Sequence, residues 1–214
     1  MQISIKITVA PGSILEPSPY KEPISDFFSA TTQQALLKPV CNRLRGFKKD
    51  EGQILYRANR LENAWLKWQD AALEIEQLRV NSSWAQLTEK GGVPFVSRLA
   101  EIYFTIKLNV LHVSINNIQT HKPFAEILAT DVAQMTRKSL KSGYWMEGYR
   151  WSPSTMNRAK YFYRWATIIR LTNDTLWADQ AVRAIAVAHT LLPDDAAITR
   201  ERDAVTAWRA SVMC

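Results

Sequence analysis

The sequence predicts a mainly helical α+β chain that carries one short β-ribbon, and three observations lead there. From Ile54 to Ile75 the apolar residues Ile54, Ala58, Leu61, Trp65, Trp68, Ala72 and Ile75 recur at alternating spacings of four and three. That is the seam of a helix packed lengthwise on another. Residues 111–116 alternate instead, with Leu111, Val113 and Ile115 apolar and His112, Ser114 and Asn116 polar, the period of a half-buried strand. Beyond it, Pro123 and Pro153 stand where helices start, since a first turn has no use for the N–H that proline lacks. With 214 residues, 47% of them hydrophobic, the chain can bury a real core. It divides into an N-terminal strand and Pro-rich arm over 1–23 and one helical domain over 24–214.

Residues 2–9 alternate Gln, Ser, Lys and Thr with Ile, Ile, Ile and Val, a strand pattern. Pro11, Pro17, Pro19 and Pro23 make the next stretch an extended arm. A short helix over 24–38 stops before Pro39. The strongest helix covers 53–80. Asn81-Ser82-Ser83 caps a further segment that Gly91-Gly92 ends. From Ile102 to Val110 apolar residues fall on even numbers, and the parity then flips at Leu111. Such a flip marks either a bulge or a helix over 95–108 that hands over to a strand, and the stripe Val96, Leu99, Ala100, Tyr103 favours the second. Past the ribbon, Pro123 opens a helix that Gly143 stops. Ser152 as N-cap and Pro153 at N1 open the next, burying Met156, Ala159, Phe162, Tyr163, Ala166 and Ile169. Asn173-Asp174 caps a helix over 175–191, and Asp194 begins the last one, to about Ser211. No 34-residue repeat accompanies the final pair.

Charge is unevenly spread along a chain of formal charge +7. Between Val132 and Asn173 the basic residues Arg137, Lys138, Lys141, Arg150, Arg158, Lys160, Arg164 and Arg170 face Glu147 alone, and Lys38–Arg60 holds a second basic cluster. A localised positive field is what a polyanionic partner needs. The two cysteines, Cys41 and Cys214, and the lack of a continuous apolar leader or of about 18 consecutive apolar residues point to a cytoplasmic, nucleoid-associated protein with no membrane partner. His112, His121 and His189 lack metal-ligand spacing. No nucleophile elbow, phosphate loop, dinucleotide fingerprint or zinc-protease motif occurs. Neither an enzyme nor a cofactor, metal or small-molecule substrate is expected.

In this order, residues 110–170 form a polar-faced strand, a helix, a connection and a second helix, which is the order of a ribbon–helix–helix module. A lone strand has open edges, and antiparallel pairing with a second copy closes them, so a homodimer is expected. The paired ribbon fits the major groove of double-stranded DNA. His112, Ser114 and Asn116 would then read bases. Ser152, Ser154 and Thr155 at the helix start, with Arg158 one turn on and His121 and Lys122 at the ribbon's exit, would hold phosphates. Arg137, Lys138, Lys141, Arg150 and Arg164 extend the basic patch. The alternative is a strand that pairs with residues 2–9 and merely wets its polar face.

The succession "ENAWLKWQDAALEIEQL", "GGVPF", "HKPFAEILATDVAQMTRKSLKSGYW" and "AVRAIAVAHTLLPDD" resembles the AcaB-like transcriptional regulators of conjugative plasmids and integrating conjugative elements, over roughly Arg60 to Asp195. The resemblance implies an elaborated ribbon–helix–helix core acting as a dimer on transfer genes, with Leu111–Asn116 as reading strand and Ser152–Thr155 as phosphate grip. The connection Gly143–Trp151 is longer than that pattern has, and the N-terminal strand has no counterpart in it. Two other functions fit the residues. "GYWMEGYRW" and "RAKYFYRW" interleave cations with rings, as a helical subunit that binds RNA or single strands in a larger nucleoprotein assembly would. A scaffold docking through the Trp65/Trp68 helix is the third.

Overall fold

The computed structural model describes residues 49–213, and every regular element among them is helical. Asp50–Arg57 (α1) and Leu61–Val80 (α2) are followed by the long Trp84–Gln119 (α3) and by Ala125–Lys138 (α4). Thr155–Leu171 (α5), a 3-10 turn at Thr175–Trp177, Ala178–Leu191 (α6) and Ala196–Val212 (α7) complete the order. The strand expected at 2–9, the Pro-rich arm and the helix over 24–38 lie outside the described residues. None of the described helices is long and apolar enough to cross a membrane.

The predicted ribbon is a helix. Residues 111–116 lie inside α3, so the α+β class and the ribbon–helix–helix core are both overturned. The physical reason is burial on nearly every side. Phe95, Val96, Leu99, Ala100, Ile102, Tyr103, Phe104, Ile106, Leu108, Val110, Leu111, Val113 and Ile118 are all buried. Only a narrow polar stripe is left uncovered, Arg98, Glu101, Thr105, Asn109, His112 and Asn116, at helical spacings of three and four. Beside so wide an apolar face residues 111–116 alternate by coincidence, and the parity flip at Val110–Leu111 is neither bulge nor handover. The dimer loses its argument as well, because no open-edged strand calls for a second copy.

Other boundaries move for local reasons. The helix expected over 53–80 is cut at Asn59, whose φ of 57° is a left-handed conformation that asparagine tolerates. Gly92, at φ 56° and ψ −160°, breaks α3, and Pro94 follows in the resumed first turn, where its missing N–H costs nothing. Helix α4 starts at Ala125, after Pro123 and a left-handed Phe124. Ser154, not Ser152, caps α5 by accepting the Asn157 N–H at 3.3 Å. Asp195, not Asp194, caps α7, accepting from the N–H groups of Ala197 and Ile198 at 2.9 and 3.2 Å. Of the buried face expected for α5, Ala159, Ala166 and Ile169 are buried but Met156 is 55% exposed; Tyr161, Trp165 and Ile168 are buried in addition.

Helix α3 is the axis. Against it α2 runs antiparallel, pairing Trp65 with Ser114 and Glu76 with Lys107. Helix α4 turns back over residues 120–124. Asn157 meets Glu101 and Arg164 meets the Leu108 carbonyl, each 56 residues apart in sequence. That constant offset means α5 runs parallel to α3. Helix α4 runs back towards the first half of α3, where α5 starts, so the three run up, down and up, with the 139–154 connection joining the last two at one end. Its rings anchor it: buried Trp145 donates to the Ser139 carbonyl at 2.9 Å and meets Tyr103 edge-on. Buried Trp151 lies against Phe104. Helices α6 and α7 are antiparallel, joined by Arg202 to His189 and Arg209 to Asp179.

One buried charge ties α2 to α3. Lys107, its side chain 7% exposed, pairs with Glu76 at 3.1 Å, and Tyr103 donates to the same carboxylate at 2.6 Å. Burial first, then neighbouring Tyr144 and Glu76, raises the Tyr103 phenol well above its ordinary range, so it stays a neutral donor. Lys107→Met strands the carboxylate and is expected to cost about 3 kcal/mol. Lys107→Met with Glu76→Leu should recover most of that loss. Urea unfolding of both variants measures it, and equal losses in the single and double variants would show that the pair is not what holds these helices.

Candidate nucleic-acid interface

The residues expected to read bases do not share a surface. On a helix, 112 and 116 lie on one side and 114 on another. Ser114 points into the core, 2% exposed, and accepts the Trp65 indole N–H at 3.3 Å. His112 bonds the Tyr56 hydroxyl at 2.8 Å and stacks obliquely on that ring. Asn116 is half-buried, and its backbone carbonyl accepts the Thr120 hydroxyl at 2.9 Å. The base-reading set is therefore withdrawn.

The phosphate set is scattered too. His121 is exposed in the left-handed turn after α3, and Lys122 pairs with Glu62 at 3.9 Å. Ser152, Ser154 and Thr155 are exposed at the start of α5, with Ser154 occupied as the cap. Arg150 is exposed on the connection. Arg164 leaves the surface patch altogether: its guanidinium donates to the Leu108 carbonyl, and burial lowers its pKa to about 10.

Four of the predicted cations nevertheless come together. Arg137 and Lys138 in the last turn of α4, with Lys141 just beyond it, line an open cleft of about 690 Å³ floored by Trp165 and Trp177. A second recess continues it past Arg137 and Trp165 to Phe162 of α5 and Arg183 of α6. Arg158 lies over the Phe162 ring, 5.9 Å from its centroid. The track is thus Lys141, Lys138, Arg137, Arg183, Arg158, all exposed. Among the described residues none of the five is paired with a carboxylate, and Asp131 is the one acidic residue lining these two recesses.

Local structure sets this up. The end of α4 carries the negative pole of its dipole, which favours Arg137 and Lys138 there. Gln180 of α6, with its amide turned so that oxygen meets donors, accepts from the Trp165 indole at 3.2 Å and from Arg137 at 3.1 Å. That pins α4, α5 and α6 at one point and holds the guanidinium over the cleft. Arg183 and Trp177 are not in the basic cluster that the sequence suggested. The available signal was a lone arginine in the alanine-rich "QAVRAIAVAH", where a buried helix would otherwise have no charge.

The aromatic runs divide. Trp145, Trp151, Tyr161 and Trp165 are core residues, while Phe162 and Trp177 are half-buried and line the cleft. Trp65 is half-buried and Trp68 buried against Gly52, so α2 offers no tryptophan docking face. Among the described residues no cluster of His, Cys, Asp or Glu converges to hold a metal. Comparison with family models, curated proteins and solved structures finds no match to the chain.

Burial, then the positive Arg164, pulls the His112 pKa below its ordinary value. The unfolded chain therefore takes up this proton at a higher pH than the folded one. Stability is whole above about pH 6.5 and is lost as pH falls through the folded pKa. His112→Gln is expected to lose less stability between pH 7.5 and 5 than the wild type, measured by urea midpoints. Equal losses would assign the acid sensitivity to other groups.

Proposed function

We propose that the protein binds nucleic acid along the α4–α5–α6 cleft, with double-stranded DNA, held by its phosphates, as the target. One observation carries this: five exposed cations from three helices and one connection converge on a single track with no carboxylate partners among the described residues. Like charges held together repel, and a polyanion relieves that repulsion while releasing its own counterions. A regulatory role at genes of a mobile element, as the resemblance to AcaB-like regulators implies, belongs to the same proposal. Base reading from α3 does not.

A second target form has its own support. Trp177 and Phe162 line the same cleft, and rings beside cations suit stacking on unpaired bases. The two forms differ in what Trp177 does.

Fluorescence anisotropy with duplex DNA, single-stranded DNA and RNA, at about 50 and about 200 mM salt, tests both. For about five phosphates the duplex affinity should fall roughly a hundredfold or more over that range. Arg137→Ala and Arg183→Ala should each weaken all sequences alike and lower the salt slope by about one. Unchanged slopes would remove this face from the binding surface. Trp177→Ala should leave duplex binding nearly intact. A loss confined to single strands, by about 1–3 kcal/mol, would make the unpaired form the target.

A further inference from the structure

On the other face of α5, away from the cationic track, lies a separate recess of about 620 Å³ between α3, α5 and the start of α7. That volume is in the range of small-molecule sites. Ile115 of α3, Met156 of α5, Leu192 after α6 and Ile198 of α7 give it apolar walls, and Arg164, Lys160 and His112 add polar groups. Two carboxylates face it, and both are already engaged. Asp195 caps α7 through the Ala197 and Ile198 N–H groups. Glu201 is gripped by Arg170 through two bonds of 2.8 and 3.0 Å.

Arg164 is different. Among the described residues its one hydrogen bond goes to the Leu108 carbonyl, and it has no carboxylate partner. A guanidinium has five N–H donors in a rigid fork, shaped for two parallel bonds to a carboxylate or phosphate. Largely removed from water and without a counter-ion, it is a costly arrangement that an anion in the recess would offset. Lys160, exposed at the rim, adds to the attraction.

We propose that this recess binds an amphipathic anion, a carboxylate or phosphate monoester on an apolar body. The anion sits on the free side of Arg164, and the apolar body lies against Ile115, Met156, Leu192 and Ile198. The site is separate from the phosphate track and does not depend on it.

Isothermal titration of the full chain with decanoate, octyl phosphate and decanol, without nucleic acid, tests the proposal. One of the two anions should bind one to one, with decanol at least tenfold weaker, and whichever anion binds identifies the headgroup. Arg164→Gln should weaken that anion at least tenfold. Met156→Glu, at a position 55% exposed, brings a carboxylate to the mouth and should weaken it similarly, which covers the case where Arg164→Gln does not fold. The bound anion should also raise the pH at which the His112 imidazole titrates by NMR, because it cancels the neighbouring positive charge. Binding of neither anion, decanol binding as tightly as the anion, or wild-type affinity in whichever variant folds would overturn the proposal.

Discussion

The whole arrangement depends on the need to cover α3 on all but one narrow stripe. The rest of its residues 95–118 form a broad apolar face, and each large apolar side chain left exposed there would forgo roughly 1.5–3 kcal/mol of burial. One neighbour covers only one stripe of a helix. Helices α2, α4 and α5 are therefore recruited around it, and α1, α6 and α7 close the gaps between them. Three polar groups trapped inside are matched, Ser114 with the Trp65 indole, Lys107 with Glu76 and the Tyr161 hydroxyl with the Ala133 carbonyl, while the buried Arg79 Nε and Tyr144 hydroxyl have no hydrogen-bond partner among the described residues. Such pairs add register to a core whose apolar contacts have none, since a slip by one turn would leave each of them unsatisfied.

The same constraint explains what could be read from the sequence and what could not. Helices α4, α5, α6 and α7 were legible to within a few residues, and α1 and α2 as one uncut helix, because each is covered on part of its circumference and keeps a polar stripe. Cap signals were legible but imprecise: Ser152-Pro153-Ser154 offers two hydroxyls, and only packing of Pro153 selects the second. The central helix was misread although its polar stripe, Arg98, Glu101, Thr105, Asn109, His112 and Asn116, keeps helical spacing, because the stripe is one residue wide and the broad apolar face beside it hides the period. Its Leu111–Asn116 stretch alternates without being extended.

The candidate site was half legible for a related reason. A charge census along the chain finds Arg137, Lys138, Lys141 and Arg158, but it counts Arg164 and Arg170 equally, although one is sunk beside α3 and the other is committed to Glu201. Exposure decides which cations meet a partner, and exposure follows from tertiary packing. Arg183 was missed by the opposite error, lying outside the dense basic stretch yet projecting into the same cleft.

The parallel pairing of α3 with α5 also shapes how the chain folds. Helices joined by tight turns can zip up from neighbouring contacts, but α5 reaches α3 only after α4 has turned back and the 139–154 connection is in place. The contacts at Glu101 and Leu108 close loops of more than fifty residues, and loop closure of that span precedes any gain from packing. Packing of α5 on α3 therefore follows that closure. Both faces of α5 come into being only with it, so neither can form ahead of the other.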